Sequence, residues 1–312
     1  MRIVKIGLAG LVALLIAAIG FLYLTPDTVV RVARDMGRER AGLVLKEINL
    51  PNGLHYAYLE GGAGEPLMLL HGFGANKDTF VMAARYLTSR YRVIIPDLVG
   101  FAESSHPSGA DYSPPAQATR LHDFANALGI KQLHLGGNSM GGHIALTYAS
   151  SYPSEVASLW LLDPGGIWSA PKSDMFKIIE ATGRNPLIVK NAEDFIKMID
   201  LVFCKAPFIP KSIAAVAAQE RIDNFQLEEG IIKQIVADSV EQRVTGLKTP
   251  ALIVWGEQDR VLHLATADIL HKLMPQSQVI TMPNTGHVPM MEKPKQSVDD
   301  YKKFRESIGA VR

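Results

Sequence analysis

The sequence predicts an α/β fold in which a mainly parallel central sheet is flanked by helices and carries an inserted helical cap. Two observations lead to this prediction. Short continuous apolar runs recur along the chain, each followed by a helix-like segment, which is typical of parallel strands buried on both faces. In addition, one block between two such runs looks helical throughout and is too long for a single crossover connection.

The strands are predicted in chain order from these apolar runs. Residues 43–50 and 54–59 are apolar-rich and are joined at residues 51–53, Pro-Asn-Gly, which indicates a hairpin at the start of the fold. After the glycine-rich turn at residues 61–64 the continuous runs begin. They predict strands at residues 67–70, 92–95, 132–135, 157–162, 251–255 and 278–282.

The helical block lies between residues 165 and 248. Its apolar clusters have helical spacing, and no strand-like run separates them. We therefore predict a core in two parts, residues 42–164 and 249–312, with residues 165–248 inserted between them as the cap.

The N-terminal segment is rich in apolar residues. Residues 6–24 carry no charged side chain and follow Arg2 and Lys5, so their length and composition suit a helix that crosses a bilayer. This predicts a membrane protein with a single-pass N-terminal anchor in residues 1–26, on an undetermined side of the membrane. A cleaved signal peptide is the alternative, and it would make the protein secreted or periplasmic. Residues 27–41 are predicted as a charged connector, with a short amphipathic helix on the membrane surface as the alternative.

The charge balance gives no sign of a polyanionic partner. Lys plus Arg number 32 and Asp plus Glu number 31, so the formal net charge of +1 provides no field that would attract nucleic acid. Cys204 is the single cysteine, which excludes an intramolecular disulfide and a cysteine-based metal cluster. Because no second motif surrounds Cys204, we predict that it is a small apolar filler of the cap.

A Gly-x-Ser-x-Gly motif is formed by Gly137, Ser139 and Gly141. In this motif the serine occupies a sharp turn from a strand into a helix, and the glycines relieve the crowding around it. A predicted strand precedes the motif and a helix-like run at residues 143–152 follows it. Ser139 is therefore the candidate nucleophile, and an ordinary glycine-rich turn is the non-functional alternative.

A serine nucleophile needs a base within hydrogen-bond reach and a third group that orients the base. His287 lies in a glycine-containing loop after the last predicted strand, whereas the other histidines lie in helices, strands or unrelated loops. Asp259 follows the strand before it, so the chain order is nucleophile, acid and base, as this strand–turn–helix motif requires. Asp163, at the end of a neighbouring predicted strand, is the alternative acid.

Acyl transfer also needs hydrogen-bond donors directed at the oxyanion, and backbone amides usually supply them. Residues 71–74, His-Gly-Phe-Gly, follow a predicted strand, and the amide of Phe73 is the first candidate donor. The amide of Met140, directly after Ser139 at a helix N-terminus, is the second. The sequence has no metal-binding cluster, phosphate-binding loop or nucleotide fingerprint, so neither a metal nor a cofactor is expected.

From about Pro66 to the C-terminus, these motifs together resemble the α/β-hydrolase superfamily. The stretches that carry the resemblance are residues 71–74, 96–104, 137–142, 255–259 and 286–287. In the family turn Pro-Asp-x-Pro-Gly-x-Gly, Val99 and Ala102 stand at the positions of the second proline and the final glycine. The resemblance implies an α/β-hydrolase fold with Ser139, Asp259 and His287 as its catalytic triad.

Within this superfamily, the chain resembles membrane-anchored monoacylglycerol lipases of the ABHD6-like kind and related bacterial lipases. The resemblance is carried by the uncharged N-terminal segment, residues 71–78 and residues 255–262. This likeness implies a carboxylic ester hydrolase that acts on monoacylglycerols or similar lipid esters.

Two alternative functions are considered. Residues 138–142 and 163–166 also resemble carbon–carbon bond hydrolases of the meta-cleavage type, but Val288 stands where those enzymes usually carry a tryptophan, and the oxyanion loop lacks their longer glycine string. A non-catalytic ligand-binding protein with the same fold is the remote alternative, and the complete Ser, Asp and His set argues against it.

Overall fold

The central sheet is mainly parallel. The computed structural model describes residues 24–309. Its strands are β1 Leu43–Asn49, β2 His55–Gly61, β3 Glu65–Leu70, β4 Tyr91–Pro96, β5 Leu133–Asn138, β6 Val156–Leu162, β7 Ala251–Gly256 and β8 Gln278–Met282. They form one sheet in the order β1-β2-β4-β3-β5-β6-β7-β8. β2 pairs antiparallel with β1 and β4, and all other neighbouring strands are parallel, which confirms the predicted fold class.

The helices occupy the connections between these strands and both ends of the described chain. They are α1 Pro26–Arg40, α2 Val81–Ala84, α3 Pro114–Ala127, α4 Met140–Ser151, α5 Asp174–Thr182, α6 Ala192–Val202, α7 Lys211–Ala237, α8 Glu241–Val244, α9 Ala265–Leu273, α10 Pro289–Glu292 and α11 Pro294–Ser307. Short 3₁₀ turns lie at Lys77–Phe80 and Pro153–Glu155.

The inner strands are buried on both faces. Every residue of β5 and of β7 is buried, which explains why these segments read as continuous apolar runs rather than as alternating ones. Because β3, β5, β6, β7 and β8 are parallel, their carboxyl ends meet at one edge of the sheet. Ser139, Asp163 and Asp259 lie in turns at this edge, and the loop after β8 carries His287.

The predicted helical block contains α5, α6, α7 and α8 between β6 and β7. Its first two long helices begin at side-chain caps: Ser173 accepts a hydrogen bond from the N–H of Phe176, and Asn191 accepts one from the N–H of Asp194. α6 packs against α7. The inserted segment is therefore built of helices that pack on one another.

Residues 26–40, which include most of the predicted connector, form the helix α1. Pro26 and Asp27 lie in its first turn and Arg38 and Arg40 in its last, as the helix dipole favours. Arg38 is buried and donates two hydrogen bonds to Asp78, at 2.7 and 2.6 Å, while α1 also packs against α7. The helix is therefore part of the folded body. Arg38 and Asp78 are 40 positions apart, so no local sequence pattern indicates that they form this pair.

The turn after β4 keeps a glycine-like backbone although it departs from the family pattern. Ala102, at the position of the pattern's final glycine, has a φ of +50°, in the left-handed region that disfavours side chains. Asp97, the acid of this turn, is fully buried and accepts hydrogen bonds from the backbone N–H and the side-chain ammonium group of Lys77. These contacts hold the turn despite the strain at Ala102.

The predicted membrane localisation is not borne out by the described residues. Residues 24–309 contain no helix with the length and apolar character that crossing a bilayer requires. Nearly all of the segment on which the anchor prediction depended, residues 6–24, lies outside the described residues.

Candidate active site

Ser139 occupies a strained turn between β5 and α4. Its φ of 54° and ψ of −117° lie in a region that residues other than glycine rarely adopt, and such strain persists only where the surrounding structure enforces it. The N–H of Ser139 donates to the carbonyl of Leu162, and its own carbonyl accepts from the N–H groups of His143 and Gly165. These bonds hold the half-buried serine at the corner of the turn between strand and helix, as the motif predicts.

The two glycines of the motif are sterically required. A Cβ on Gly137 would lie 2.3 Å from the backbone carbonyl carbon of Gly141. A Cβ on Gly141 would lie 2.2 Å from the carbonyl oxygen of Leu70. Both contacts are with backbone atoms, so no side-chain rearrangement relieves them. The motif therefore reflects close packing of the turn against β3 and its own helix.

His287 and Asp259 form a buried hydrogen-bonded pair. The Nδ1 atom of His287 lies 2.8 Å from the Oδ2 atom of Asp259, and the Asp259 side chain is fully shielded from solvent. The Oδ1 atom of Asp259 accepts hydrogen bonds from the N–H groups of Val261 and Leu262, at 2.7 and 3.0 Å. Three donors thus surround this carboxylate, which suits an ionised acid that orients an imidazole.

The loop that carries His287 is fixed by contacts that the sequence analysis missed. The side-chain amide of Asn138 donates to the carbonyl of His287 at 2.9 Å and to that of Leu162 at 3.0 Å. The backbone N–H of His287 donates to the carbonyl of Val202, at the end of α6, at 2.8 Å. The neighbour of Ser139 therefore ties the base loop to the sheet, and α6 holds it from the other side.

Glu292 links the same loop to the segment after α6. It accepts from the N–H of Gly286 at 2.7 Å and from the N–H of Cys204 at 3.0 Å, and burial raises the pKa of its carboxyl. The side chain of Cys204 is exposed, so the prediction that it fills space inside the cap is wrong. Its backbone N–H, rather than its thiol, makes the structural contact.

Asp163, the alternative acid, lies beside the pair and not in place of Asp259. It is fully buried, with a φ of +46°, and its Oδ1 atom accepts from the N–H of Gly256 at 2.9 Å. Burial raises the pKa of the Asp163 carboxyl well above its usual range, and the nearby Asp259 carboxylate raises it further. The Nδ1 atom of His287 makes its hydrogen bond to Asp259.

Asp163, Asp259 and His287 also form a group that has the composition of a metal site. One ligand atom from each lies within 4.8 Å of the others. His287 Nδ1 and Asp259 Oδ2 are at hydrogen-bond distance from each other, which leaves no space for a cation between them. The arrangement thus fits a proton-bridged cluster better than a cation site.

The two predicted oxyanion donors flank the nucleophile. Phe73, Ser139 and Met140 line one small cavity of about 40 Å³. Within residues 24–309, neither the N–H of Phe73 nor that of Met140 donates a hydrogen bond to another protein group. Gly72 brings the first loop close, since a Cβ on it would lie 3.4 Å from the Cβ of Ser139. Two free amides therefore adjoin the serine, as oxyanion stabilisation requires.

His71 connects the oxyanion loop, residues 71–74, to the neighbouring turn after β4. It is fully buried, and burial lowers the pKa of its imidazole, so the ring is neutral. Its Nδ1 lies 2.8 Å from the carbonyl of Gly72, and its Nε2 accepts from the N–H of Leu98 at 3.0 Å. With Nδ1 carrying the proton, both bonds are satisfied, and the ring joins the oxyanion loop to the turn after β4.

A cavity of about 400 Å³ opens at Ser139 and His287. One wall is apolar and comes mainly from α6, including Phe195, Met198, Ile199 and Val202. The other end is polar, and it carries the side chains of Asn76, Thr79, Glu220, Arg221, Asn224 and Glu228. The space is thus amphipathic, as a substrate with an alkyl chain and a hydroxylated group requires.

The polar end contains a buried ion pair that sequence reasoning did not find. Arg221 donates through Nε and Nη2 to Glu228, at 3.1 and 2.8 Å, and through Nη2 to the carbonyl of Leu187 at 2.6 Å. Burial raises the pKa of Glu228, while Arg221 opposes this rise. Glu220 faces the same cavity without an ion-pair partner among the described residues, and burial raises its pKa as well.

Comparison with known proteins places the chain among lipases. It is 48% identical over 283 residues to Lipase 1 of Psychrobacter immobilis, covering 88% of each chain. It is 29% identical over 311 residues to the monoacylglycerol lipase ABHD6 of Rattus norvegicus, covering 94% of this chain and 91% of the relative. A solved structure of a membrane phospholipase A, described as a bacterial virulence factor, is 39% identical and superposes with a TM-score of 0.88 over 98% of this chain and 100% of that one.

These relatives confirm the predicted carboxylic ester hydrolase, and the meta-cleavage alternative is more distant. A meta-cleavage product hydrolase from Pseudomonas fluorescens IP01 is 22% identical with a TM-score of 0.74, a likeness that shows the shared fold alone. The family profile described as alpha/beta hydrolase fold matches residues 65–190 and 198–294. The sheet order, the strained serine turn and these matches all agree. The chain belongs to the α/β-hydrolase family and is a lipase-type serine hydrolase.

Proposed function

We propose that Ser139, His287 and Asp259 are the catalytic triad that hydrolyses the ester. Ser139 Oγ attacks the ester carbonyl carbon, and His287 Nε2 takes the hydroxyl proton as the bond forms. The same proton passes to the departing alcohol as the tetrahedral intermediate collapses to an acyl-enzyme. Water, deprotonated by His287, then releases the fatty acid and restores Ser139. The buried 2.8 Å contact between His287 Nδ1 and Asp259 Oδ2 is the observation that carries this assignment.

The N–H groups of Phe73 and Met140 are proposed as the oxyanion hole. Both flank Ser139 and make no hydrogen bond to the rest of the described protein, so no competing acceptor has to be displaced when the oxyanion forms. Met140 is also the first residue of α4, where the helix dipole favours negative charge. Loss of one such donor in comparable enzymes costs about 10²- to 10³-fold in kcat.

Monoacylglycerols and similar lipid esters are the proposed substrates. The α6 wall of the 400 Å³ cavity supplies apolar surface for an acyl chain, and its Asn76, Asn224 and Glu220 side chains supply partners for the hydroxyl groups of a glycerol moiety. A simple alkyl ester has no hydroxyl group to offer these polar side chains, so it would gain less binding free energy from this part of the cavity.

Residues 165–248 are proposed as the cap that builds this cavity, inserted between core parts at residues 42–164 and 249–312. α6 and α7 contribute one part of the lining, and loops of the core contribute another part together with the reacting groups. The cap therefore helps to select the substrate, and the loops of the sheet perform the chemistry.

The replacement Ser139→Ala tests the central assignment. Ester turnover by the purified variant should fall to the level of the remaining binding site and oxyanion hole, about 10³- to 10⁴-fold over the uncatalysed rate. Labelling by a fluorophosphonate, which reacts with the activated serine, should disappear as well. Ser150→Ala, at the opposite end of α4 from Ser139, serves as the control and should keep both properties.

A folded Ser139→Ala protein that retains turnover or labelling would contradict the assignment. A panel of monoacylglycerols, aryl esters and a meta-cleavage dienoate, assayed with one preparation, tests the substrate class. Preference for the dienoate would contradict the proposed lipid ester.

A further inference from the structure

Asp163 is a buried acid that the proposed triad does not use. It lies at the carboxyl end of β6 in the left-handed backbone region, with a φ of +46°, and its N–H donates to the carbonyl of Val254 at 2.9 Å. Residues other than glycine rarely hold this conformation, and strained positions cluster at functional sites. The strained turn directs a fully buried carboxyl toward the triad.

The two oxygens of Asp163 are in different situations. Oδ1 accepts from the N–H of Gly256 at 2.9 Å, whereas Oδ2 is buried and has no hydrogen-bond partner among the described residues. A buried acceptor without a donor is costly, but a protonated Oδ2 is itself a donor. The environment of Asp163 therefore suits a carboxylic acid with its proton on Oδ2.

An acceptor for that proton is close by. A carboxyl oxygen of Asp163, an oxygen of Asp259 and a ring nitrogen of His287 lie within 4.8 Å of one another. Asp259 already receives two backbone N–H groups and the imidazole, which stabilise its anionic form. Two buried carboxyls at this separation do not both ionise, because their like charges repel in a poorly solvated site. The three donors around Asp259 favour the anion there, whereas the single donor to Asp163 favours the neutral acid at that position.

We propose that Asp163 is a positioning residue that remains a neutral carboxylic acid and donates a hydrogen bond from Oδ2 to the Asp259 carboxylate. This inference rests on the proposed function, since it takes Asp259 as the acid of the triad. The charged or titratable groups around Asp163 are Asp259 and His287 beside it and Glu292 from α10. Burial, followed by the Asp259 charge, raises the pKa of Asp163, in agreement with this geometry.

The added donor has a defined consequence for the reaction. A carboxylate that accepts one more hydrogen bond holds its charge more firmly and is a weaker base. Asp259 therefore stabilises the imidazolium of His287 without taking its proton, and its orientation is fixed from a further side. Asp163 acts through Asp259 and touches no reacting atom.

The variant Asp163→Asn tests whether Asp163 is a neutral hydrogen-bond donor or a second ionised carboxylate beside His287. An asparagine amide keeps an acceptor for the Gly256 N–H and a donor for Asp259, so kcat and the acidic limb of the kcat/KM pH profile should match the wild type. If Asp163 were ionised, this variant would remove a negative charge beside the base, and the acidic limb would move to lower pH. That movement would overturn the proposal.

The variant Asp163→Leu removes the donor and keeps the branched shape of the side chain. We expect kcat to fall by about 10- to 100-fold with little change in KM, the range for a lost hydrogen bond to a charged group. The acidic limb should also move to higher pH, because Asp259 without this donor attracts the imidazolium proton more strongly. A Leu variant with wild-type kcat and an unmoved limb would contradict the proposal.

The infrared carboxyl band gives a measurement that needs no turnover. A protonated-carboxyl stretch at neutral pH should be present in the Ser139→Ala protein and lost when Asp163→Asn is added. Asp300→Asn is the matched control, because Asp300 also has a buried, unpartnered Oδ2 and a pKa raised by burial but belongs to α11. An Asp163→Asn difference spectrum without this band overturns the proposal even if the triad is correct, whereas turnover in Ser139→Ala would refute only the proposed function.

Discussion

Replacing Asp259 with asparagine should disable the base while leaving the protein folded. The Oδ1 atom of Asp259 accepts from the N–H groups of Val261 and Leu262, so an asparagine must keep its carbonyl oxygen in that position. Its amide nitrogen then takes the place of Oδ2, which lies 2.8 Å from His287 Nδ1. A donor would thus face the ring nitrogen that normally donates to Asp259.

The imidazole resolves this conflict by changing its tautomer. Nδ1 loses its proton and accepts from the amide, so Nε2 carries a proton and no longer serves as the base for Ser139. The corresponding change in other serine hydrolases lowers kcat by about 10⁴-fold, which is roughly 5.5 kcal/mol in the activation barrier. The two backbone hydrogen bonds survive, so the free energy of unfolding should fall by only about 1 kcal/mol.

The assay is the kcat for a water-soluble aryl ester, with thermal unfolding measured on the same samples. Glu257→Gln, two positions away and exposed, is the control and should remain within about twofold of the wild type because surface changes of this kind have small effects. A folded Asp259→Asn enzyme that keeps more than a tenth of the wild-type kcat would refute the reasoning and return Asp163 as the acid.

Three further predictions concern stability. Gly141→Ala should prevent correct folding of the serine turn, because its Cβ would lie 2.2 Å from a backbone oxygen, whereas Gly230→Ala, in α7 with open space around it, should stabilise the protein by about 0.5–1 kcal/mol without changing activity. Unfolding by denaturant measures both, and a destabilised Gly230→Ala protein would contradict the second. Asp238→Asn should lower the free energy of unfolding at pH 7 by about 1–2 kcal/mol: burial opposes ionisation, but hydrogen bonds from His143 and Arg243 outweigh it and lower the pKa of Asp238 to about 2. A carboxyl whose pKa is lower in the folded state stabilises the fold at any pH above its unfolded-state pKa, and this stabilisation is lost as the pH falls through its folded-state pKa. The difference in free energy of unfolding between wild type and Asp238→Asn should therefore narrow between pH 4 and pH 2. An equal difference at pH 3 and pH 7 would show that the stabilisation does not come from the lowered pKa of Asp238.

The strands of the sheet and the candidate catalytic residues at its edge could be predicted from the sequence. Strands such as β5 and β7 are buried on both faces, and this burial is what a continuous apolar run records. Ser139 and its glycines were recognisable because the strained turn imposes local requirements that only certain residues meet. Both kinds of signal lie within a few neighbouring residues.

The choice between the two acids could not be made in this way. Asp163 and Asp259 follow the adjacent parallel strands β6 and β7, so topology places both near the same histidine. What distinguishes them is the number of donors around each carboxylate, and those donors are backbone groups whose positions depend on the folded loops. Long-range pairs were missed for the same reason, such as Asn138 with the carbonyl of His287, which lies 149 positions away.

The bonds between α6 and the base loop have a consequence for how substrate reaches the serine. Val202 accepts from the N–H of His287, and Glu292 joins Gly286 to the backbone of Cys204. A swing of α6 away from the sheet would break these bonds and release the base at the moment the cavity opened. Opening of the cavity by α6 would therefore disturb the base that the reaction needs, whereas movement of other parts of the cap would leave these bonds in place.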